Sequence, residues 1–517
     1  MLDASVSFVL HAHLPWVRGE GPNISLEEAW LYEALWQSYL PLLEVFERCA
    51  TLRPGTPLCT ISLSPPLLSM LADTHHKQRF RRYATELCDA LSRARRDHDE
   101  LALGIDDHTE RLAASVATFE RLRGDVIGGF VDLDNRRVVE LTTTAASHAF
   151  LPGLFTEAAV RAQIRMGLRY FHALTKRHAR AFWLPECGYD EKLENAIVDC
   201  GALSTVLASH GLDLARPRPP FSTRMPILAA QPFAFFGRAA ELVDRIWSRE
   251  RGYPSHAAYR EFYRSLEPAG ASAAITRAMK PFCVTGVTDE KQPYQPAAAE
   301  RAVALHATDF VAAIKEWSLA TDARAPIAVL AFDAELFGHW WWEGPQFLER
   351  VLKGAAAAGL TPRSLSGYLE LDPALPVARP ATSSWGRGGY ADAWTHPSSS
   401  HAARLAHRGE RRVLAVDALV RDTPRSETQR RARLWAIREL FLLQASDYAF
   451  MLRSGEFAAF ASQKLHEHAK RLEELASIAE RPKEAPGDKA RVDALAEARP
   501  FFAELDEDAW ADTFDPW

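Results

Sequence analysis

The stretch IAVLAFDAELFGHWWWEGP, residues 327–345, is an apolar run followed directly by acidic and aromatic residues. Its first six residues are all apolar, which is typical of a parallel strand that is buried on both faces. The run ends directly in Asp333, and Glu335 and Trp340 to Trp342 follow. In barrels of parallel strands the catalytic groups lie at the carboxyl ends of the strands. The stretch therefore predicts one strand of an α/β fold, with Asp333 facing a site.

Other short apolar runs, separated by helix-like stretches, extend this pattern along the chain. The further predicted strands are Val6 to Leu10, Leu58 to Ser62, Val126 to Phe130, Val138 to Thr142, Ala181 to Leu184 and Leu203 to Ala208. Helical spacing marks Leu26 to Cys49, Lys77 to Arg96, Thr156 to His178 and Ala297 to Trp317. Such alternation indicates βαβ units, and hence an α/β barrel or a doubly wound sheet. The strand count favours an incomplete (β/α)7 barrel.

Two interruptions divide the predicted elements. The strand pattern lapses over about residues 211–294, where residues 233–236 look irregular, and we expect an inserted subdomain that folds over the barrel mouth. The second interruption is LDPALPVARP at 371–380. The pattern after it is helical, with a capping box at Ser426 and Gln429. We expect a catalytic barrel over 1–375 and an all-helical C-terminal domain over 381–517 that completes the substrate cleft.

Composition narrows the class of protein. With 61 basic and 67 acidic residues the net charge is -6, which offers no general attraction to nucleic acid or to an anionic membrane. No apolar stretch approaches the roughly 20 residues that span a bilayer. The six cysteines show no CxxC spacing and read as reduced thiols, and the N-terminus reads as a first strand rather than a signal peptide. We therefore expect a cytoplasmic protein, for which a neutral polymer is a suitable partner.

Two acids end different predicted strands. Glu186 follows the run that ends in Leu184 and Pro185, and Asp333 follows the last strand. A lone acid in such a place is more often a helix cap or a paired surface group. Two at the ends of different strands fit glycosidic cleavage, which needs two carboxyls on opposite sides of one bond. Glu335 and Glu343 are alternatives to Asp333, which is preferred because it directly follows the strand.

Histidines also follow several strand ends, and they leave other functions open. His11, His13, His148 and His210 could donate hydrogen bonds to sugar hydroxyls, or they could be structural. The same residues allow a metal-dependent hydrolase, in which His11, His13 and Asp333 hold a zinc ion. A glucan-binding protein that has lost catalysis is a further alternative, although the presence of both carboxylates argues against it.

Five motifs carry a family resemblance: HAHLPW (11–16), TTTAASHAFLP (142–152), FWLPECGY (182–189), AFDAELFGHWWWEGP (331–345) and SSWGRGGY (383–390). They resemble the conserved regions of glycoside hydrolase family 57, most closely its α-1,4-glucan branching enzymes, in order and spacing over nearly the whole chain. The resemblance implies a seven-stranded α/β barrel with a C-terminal helical domain, a retaining mechanism, and neither a cofactor nor a catalytic metal. Matched by motif, Glu186 takes the role of nucleophile and Asp333 that of general acid/base. The implied substrate contacts are His11, His13, Trp16, His148, Trp183, His210, Trp341 and Trp385.

The function implied by the resemblance is cleavage of an α-1,4 linkage and transfer of the chain to a 6-hydroxyl, as in glycogen or α-glucan biosynthesis. The sequence departs from the family pattern at three points. No tyrosine occurs between Tyr189 and Tyr253, where branching members carry one on a mobile loop. The chain continues after Trp394 as THPSSSHAARLAH without the usual tryptophans, and Tyr448 stands where tryptophan is usual. These departures concern acceptor binding, so α-amylase and 4-α-glucanotransferase activity stay open as alternatives.

Overall fold

A computed structural model describes residues 4–248, 250–268 and 270–515. In these residues the chain forms nine strands: β1 (Ser5–Ala12), β2 (Cys59–Leu63), β3 (Glu140–Thr144), β4 (Phe182–Trp183), β5 (Ser204–Leu207), β6 (Ile227–Leu228), β7 (Ala234–Gly237), β8 (Ile327–Asp333) and β9 (Thr361–Pro362). Strands β1 and β2 are buried along their whole length, as expected for parallel strands with both faces covered.

Seven of these strands form a parallel ring. One sheet has the order β4-β3-β2-β1-β8, and in a second sheet β5 pairs in parallel with β7. A bridge between Ala181 and Ser204 joins the edge of β4 to β5, and a bridge between Arg238 and Val329 joins β7 to β8. Strand β6 lies outside the ring, antiparallel to β7, and β9 pairs with the start of β1. The prediction of a seven-stranded α/β barrel is confirmed.

Helices connect the strands and cover the ring. They are α1 (Leu26–Ala34), α2 (Leu40–Cys49), α3 (Pro65–Ala72), α4 (Thr74–Asp97), α5 (Ala102–Arg121), α6 (Val126–Asn135), α7 (Glu157–Thr175), α8 (Glu194–Val198), α9 (Ser209–Asp213), α10 (Ala240–Trp247), α11 (Ala273–Thr276), α12 (Pro296–Leu319), α13 (Gly344–Ala357) and α14 (Leu365–Leu369). A π-helical segment, Leu35–Tyr39, separates α1 from α2 within the stretch that was predicted as one helix.

The predicted number of barrel strands is right, but two assignments are wrong. Residues 126–130, predicted as a strand, begin helix α6, because Asp125 caps the helix by accepting a hydrogen bond from the Gly128 N–H at 2.9 Å. Residues 233–236, predicted as irregular, overlap the barrel strand β7 (Ala234–Gly237), and Phe235 and Phe236 are fully buried. The expected insertion at 211–294 therefore contains part of the barrel.

The chain beyond β7 packs against the loop that follows β8. The backbone N–H of Arg260 donates to Glu343 Oε1 at 3.0 Å, and Tyr294 donates to the same oxygen at 2.7 Å. The Arg260 guanidinium donates to the carbonyl of His339 at 2.7 Å. These bonds anchor the segment beside the strand end that carries Asp333.

The C-terminal region is helical, as predicted, with α15 (Asp392–Thr395), α16 (Ser400–Asp422), α17 (Glu427–Leu443), α18 (Ser446–Ser454), α19 (Ala458–Glu480) and α20 (Asp488–Ala498). Both hydrogen bonds of the predicted capping box at Ser426 and Gln429 are present. The last residues form a strap over the barrel, since Trp510 is fully buried and the Phe502 ring lies 3.9 Å from that of Tyr170. All six cysteines are free thiols. Within the described ranges, no helix is long and apolar enough to cross a membrane.

Candidate active site

Glu186 is held in an unusual backbone conformation just beyond β4. Its φ of 62° lies in the left-handed region, which a non-glycine residue adopts at a cost of about 1–3 kcal/mol. Both carboxylate oxygens have donors: the Trp385 indole N–H bonds Oε2 at 2.7 Å, and the Ser446 hydroxyl bonds Oε1 at 2.7 Å. The Trp385 backbone N–H donates to the Glu186 carbonyl at 2.9 Å. The orientation of this carboxyl group is thus fixed from several sides.

Asp333 shares the pocket with Glu186. It ends β8 directly opposite His11 in the β1–β8 register. Burial raises the pKa of Glu186 to about 7 and also raises that of Asp333 to about 7. The negative charge of Glu186 raises the pKa of Asp333 further, whereas the Arg238 guanidinium lowers it. With pKa values near neutrality, one carboxyl of such a pair can stay protonated while the other is ionised.

Three histidines line the pocket beside these carboxyls. His11 Nε2 lies 2.9 Å from His148 Nε2, and His11 Nδ1 lies 3.1 Å from the Ser62 hydroxyl. The rings of His13 and His148 stack with their centroids 3.9 Å apart. Burial holds the pKa of His11 and of His148 well below the usual value, so both imidazoles are neutral at pH 7. Both ring nitrogens of each of these two imidazoles have a partner within hydrogen-bonding distance, so the rings offer a sugar an uncharged surface and no free nitrogen.

The helical region contacts these side chains through the start of α18. Ser446 contacts both Glu186 and His148 Nδ1, the latter at 2.9 Å, and Asp447 Oδ1 lies 3.1 Å from His13 Nε2. Ser446 and Asp447 were not predicted as site residues, because no local pattern in FLLQASDYAF (441–450) marks them. Tyr448 of the same stretch is buried, with its hydroxyl 3.2 Å from His468 Nε2.

Two of the predicted tryptophans lie in the pocket. The Trp183 ring stacks on His11 at 4.8 Å, and the Trp385 ring meets Trp183 edge-on at 5.2 Å. The buried Trp183 indole N–H has no hydrogen-bond partner among the described residues. An orphaned buried donor is costly, and a sugar hydroxyl is a suitable partner for it.

The other predicted contacts lie elsewhere. His210 is half-buried and its Nε2 donates to the Gly389 carbonyl at 2.7 Å, so it anchors the loop after Trp385. Trp16 is buried with its ring 6.0 Å from that of Phe501. The Trp341 side chain is only 1% exposed, and its ring lies 4.6 Å from that of Phe347. Its contact with substrate stays a prediction.

Trp340 is the solvent-facing member of the tryptophan triplet. It is 37% exposed, and its ring lies 5.9 Å from that of Trp247. The loop after β8 turns sharply at Gly338, whose φ is 115°, and the alternation of a regular strand does not continue through the triplet, since the adjacent Trp341 and Trp342 are both buried.

The two acids that were alternatives to Asp333 are separated by the fold. Glu335 lies in the pocket, where it accepts hydrogen bonds from the His13 backbone N–H at 3.1 Å and from the Tyr39 hydroxyl. Burial raises the pKa of Glu335 to about 8. Glu343 instead bonds Arg260 and Tyr294 in the neighbouring segment, so it does not rival Asp333.

The imidazoles also bear on the zinc alternative. His148, and not Asp333, joins His11 and His13 in a group whose ligand atoms lie within 4.8 Å of one another and could hold a metal ion. Both ring nitrogens of His13 already have partners, Ser64 at 2.9 Å and Asp447. Stacked rings with occupied nitrogens favour hydrogen bonding over the convergent geometry of a zinc site.

Cleavage of a glycosidic bond requires a carboxylate that is held in place and a second carboxyl that can carry a proton at neutral pH. A parallel barrel with these groups at its strand ends is an enzyme of the glycoside-cleaving class. The chain belongs to glycosyl hydrolase family 57, whose family model matches residues 7–356. A second model, for the C-terminal region of 1,4-alpha-glucan branching enzymes, matches residues 406–510.

Individual relatives agree with the family. A probable 1,4-alpha-glucan branching enzyme of Mycobacterium tuberculosis is 30% identical over 91% of this chain and 91% of its own length. The 1,4-alpha-glucan branching enzyme of Thermococcus kodakarensis is 28% identical over 91% of this chain and 73% of its own. The crystal structure of a family 57 branching enzyme from Pyrococcus horikoshii superposes with a TM-score of 0.89 at 26% identity, covering 98% of this chain and 96% of that one. An alpha-amylase from Thermotoga maritima gives 0.86 at 26% identity, covering 99% of each chain.

Proposed function

We propose that this protein is a 1,4-α-glucan branching enzyme, which cleaves an α-1,4 linkage and transfers the released chain to the 6-hydroxyl of a glucan. The observation that carries the proposal is the contact of the C-terminal region with the pocket. The segment that resembles the branching-enzyme C-terminal region places Ser446 on Glu186 and Asp447 on His13. The names of the two relatives described above support the same activity.

In the proposed mechanism Glu186 is the nucleophile and Asp333 the general acid/base. Asp333 gives its proton to the leaving O4 as a Glu186 oxygen bonds the anomeric carbon, which breaks the α-1,4 linkage and leaves a β-linked glycosyl-enzyme. Asp333 then takes the proton of an acceptor hydroxyl, whose oxygen displaces Glu186 and restores the α configuration. Glu186 is again ionised and Asp333 again protonated at the end of the cycle, so the donor and the acceptor are the only reactants.

The substrate contacts are proposed by position. His11, His13, His148, Trp183 and Trp385 surround Glu186 in the pocket and are the proposed contacts of the sugar that is cleaved. Trp16 packs against Phe501 and His210 bonds the Gly389 carbonyl, and both stay predicted contacts of more distant sugars. The proposed catalytic unit is the barrel over 1–375, with the helical domain over 381–517 completing its cleft.

Hydrolysis is the second candidate function. The observation that favours it is the lack of any tyrosine between Tyr189 and Tyr253, together with the structural likeness to an alpha-amylase. If the acceptor is water instead of a glucan hydroxyl, the same double displacement yields a reducing end. The balance between the two outcomes depends on how well water is excluded and an acceptor chain is held.

Incubation of the purified protein with amylose tests which acceptor the enzyme uses. We expect iodine staining to fall while new α-1,6 signals grow in the proton NMR spectrum, with few new reducing ends. Glu186→Gln protein prepared in parallel is the control for contaminating enzymes. New reducing ends without α-1,6 signals would indicate hydrolysis and contradict branching. New α-1,4 chain lengths without either product would indicate 4-α-glucan transfer.

The pH profile tests the role of Asp333 as the acid. Arg238→Met is expected to move the basic limb of kcat/KM to higher pH. The reason is that Arg238 holds down the pKa of Asp333, so the protonated acid persists to higher pH once the cation is gone. Arg238→Lys keeps the charge and is the matched control. Profiles of hydrolysis or transfer on amylose measure the limb, and an unmoved limb in Arg238→Met would argue against Asp333 as the acid.

A further inference from the structure

We propose that Ser446 is a positioning residue that ties the nucleophile to a directed chain of hydrogen bonds through His148 and His11 to Ser62. The proposal rests on the function of Glu186 proposed above. The four contacts of the chain measure 2.7 Å from Ser446 to Glu186, 2.9 Å from Ser446 to His148, 2.9 Å from His148 to His11 and 3.1 Å from His11 to Ser62. Ser446 is the one link that comes from the helical region.

The direction of every bond follows from the carboxylate. An ionised Glu186 only accepts, so the Ser446 hydroxyl donates to it, and the same Ser446 oxygen must accept from His148 Nδ1–H. His148 is a neutral imidazole, so its Nε2 is then an acceptor and takes the proton of His11 Nε2–H. His11 is also neutral and carries its proton on Nε2, so its Nδ1 accepts from the Ser62 hydroxyl. One tautomer of each histidine satisfies the whole chain.

This arrangement points each proton of the chain toward the nucleophile. Since hydrogen bonds in series polarise one another, the negative charge of Glu186 is also stabilised by His11 and Ser62, which do not contact it. His148 Nδ1 lies 3.7 Å from Glu186 Oε1, so the Ser446 hydroxyl is the hydrogen-bonded link between them. Outside the chain of hydrogen bonds, the charged or titratable groups that face Glu186 are Asp447 on α18, His13 after β1, Asp333 at the end of β8 and the adjacent Cys187.

The chain predicts a specific effect of Ser446→Ala. Loss of the hydroxyl removes a donor that lowers the pKa of Glu186, so the acidic limb of kcat/KM should move to higher pH. At pH 5.5 we expect kcat/KM to fall by about 10- to 100-fold, the size typical of a hydrogen bond to a charged group, with a smaller loss at pH 8. Ser446→Thr keeps a hydroxyl and should restore the limb. The assay uses hydrolysis of an aryl α-maltoside by the full-length protein, which does not depend on branching.

A double-mutant cycle tests whether Ser446 and Ser62 act through the same series of hydrogen bonds. Ser62→Ala alone should move the acidic limb in the same direction, and in the Ser446→Ala background it should have little further effect. Ser64→Ala is the matched control, because Ser64 bonds His13 and lies outside the chain. Additive effects of Ser62 and Ser446, or an unmoved limb in Ser446→Ala protein that unfolds at the wild-type temperature, would overturn the proposal. If instead Glu186→Gln were fully active, the proposed function of Glu186 would fail, whatever the Ser446 variants did.

Discussion

Glu186→Gln lowers kcat/KM for amylose by about 10⁴-fold or more, because a neutral amide cannot form the glycosyl-enzyme and the loss of a catalytic nucleophile typically has this size. The fold should survive. Burial raises the pKa of Glu186 to about 7, above its value in the unfolded chain, so the native state binds the extra proton between about pH 4 and 7. Its contribution to stability is complete at low pH and is lost as the pH rises through 7. Replacing the carboxyl by an amide should therefore leave the unfolding temperature at pH 8 unchanged or higher.

The stereochemistry of chemical rescue identifies the nucleophile. In Glu186→Ala protein, azide can enter the space of the missing carboxylate and attack an α-maltosyl fluoride from the β face. The expected product is the β-azide, formed with inversion, and its anomeric proton is resolved by NMR. Cys187→Ala is the matched control, since it removes a buried neighbour without removing a carboxyl. Full activity of Glu186→Gln, or an α-azide from Glu186→Ala, would contradict the assignment.

Asp333→Asn is expected to lower kcat/KM for amylose by about 10²- to 10⁴-fold, the range typical of a general acid/base. The loss should depend on the leaving group. An activated donor such as α-maltosyl fluoride needs no proton on its leaving group, so formation of the glycosyl-enzyme should be nearly as fast as in the wild type. Breakdown of the intermediate still lacks its base, and a burst of fluoride release is expected. Stopped-flow measurement of fluoride and of transfer products separates the two steps.

The same rescue chemistry distinguishes the second carboxyl from the first. In Asp333→Ala protein Glu186 still forms the β-linked intermediate, and azide then attacks it from the opposite face. The product should be the α-azide, the anomer opposite to that expected from Glu186→Ala. Glu335→Gln is the matched comparison, since Glu335 lies in the same pocket but is not expected to transfer the proton. An equal loss on amylose and on the fluoride in Asp333→Asn would argue against an acid role.

The sequence predicted the elements that have a strong local signal. Long apolar runs that end in a charged residue, such as the one before Asp333, allow one interpretation, and the capping box at Ser426 marks a helix start without tertiary information. The failures were short apolar runs in which periodicity does not decide between strand, helix and loop. Strand β7 has four residues, too few for a period to show, and it is a strand because β5 and β8 lie on either side.

The missed strand had a consequence for the site. Arg238 directly follows β7. Because the strand was not predicted, Arg238, which lowers the pKa of Asp333, was not predicted as a site residue either. Ser446 and Asp447 were missed for a different reason. They reach the pocket only because the helical region folds against the barrel, and no local pattern in ASD reveals such a partner. The run of three tryptophans presents a different problem. Which of them faces solvent cannot be predicted before the turn at Gly338 is known.

Hydrogen bonding around the barrel ring is least continuous beside the two strands that lead to the proposed catalytic carboxyls. Strand β4, which leads to Glu186, meets β5 through a single bridge, and β8, which ends in Asp333, meets β7 through another. Strands β5 and β7 thus form a two-stranded section of the ring between β4 and β8, with β6 outside it. Val206, Phe236 and Val329, one from each of β5, β7 and β8, belong to one buried cluster. Interior side-chain packing, more than ladder hydrogen bonding, therefore sets how far apart the two strand ends lie across this section.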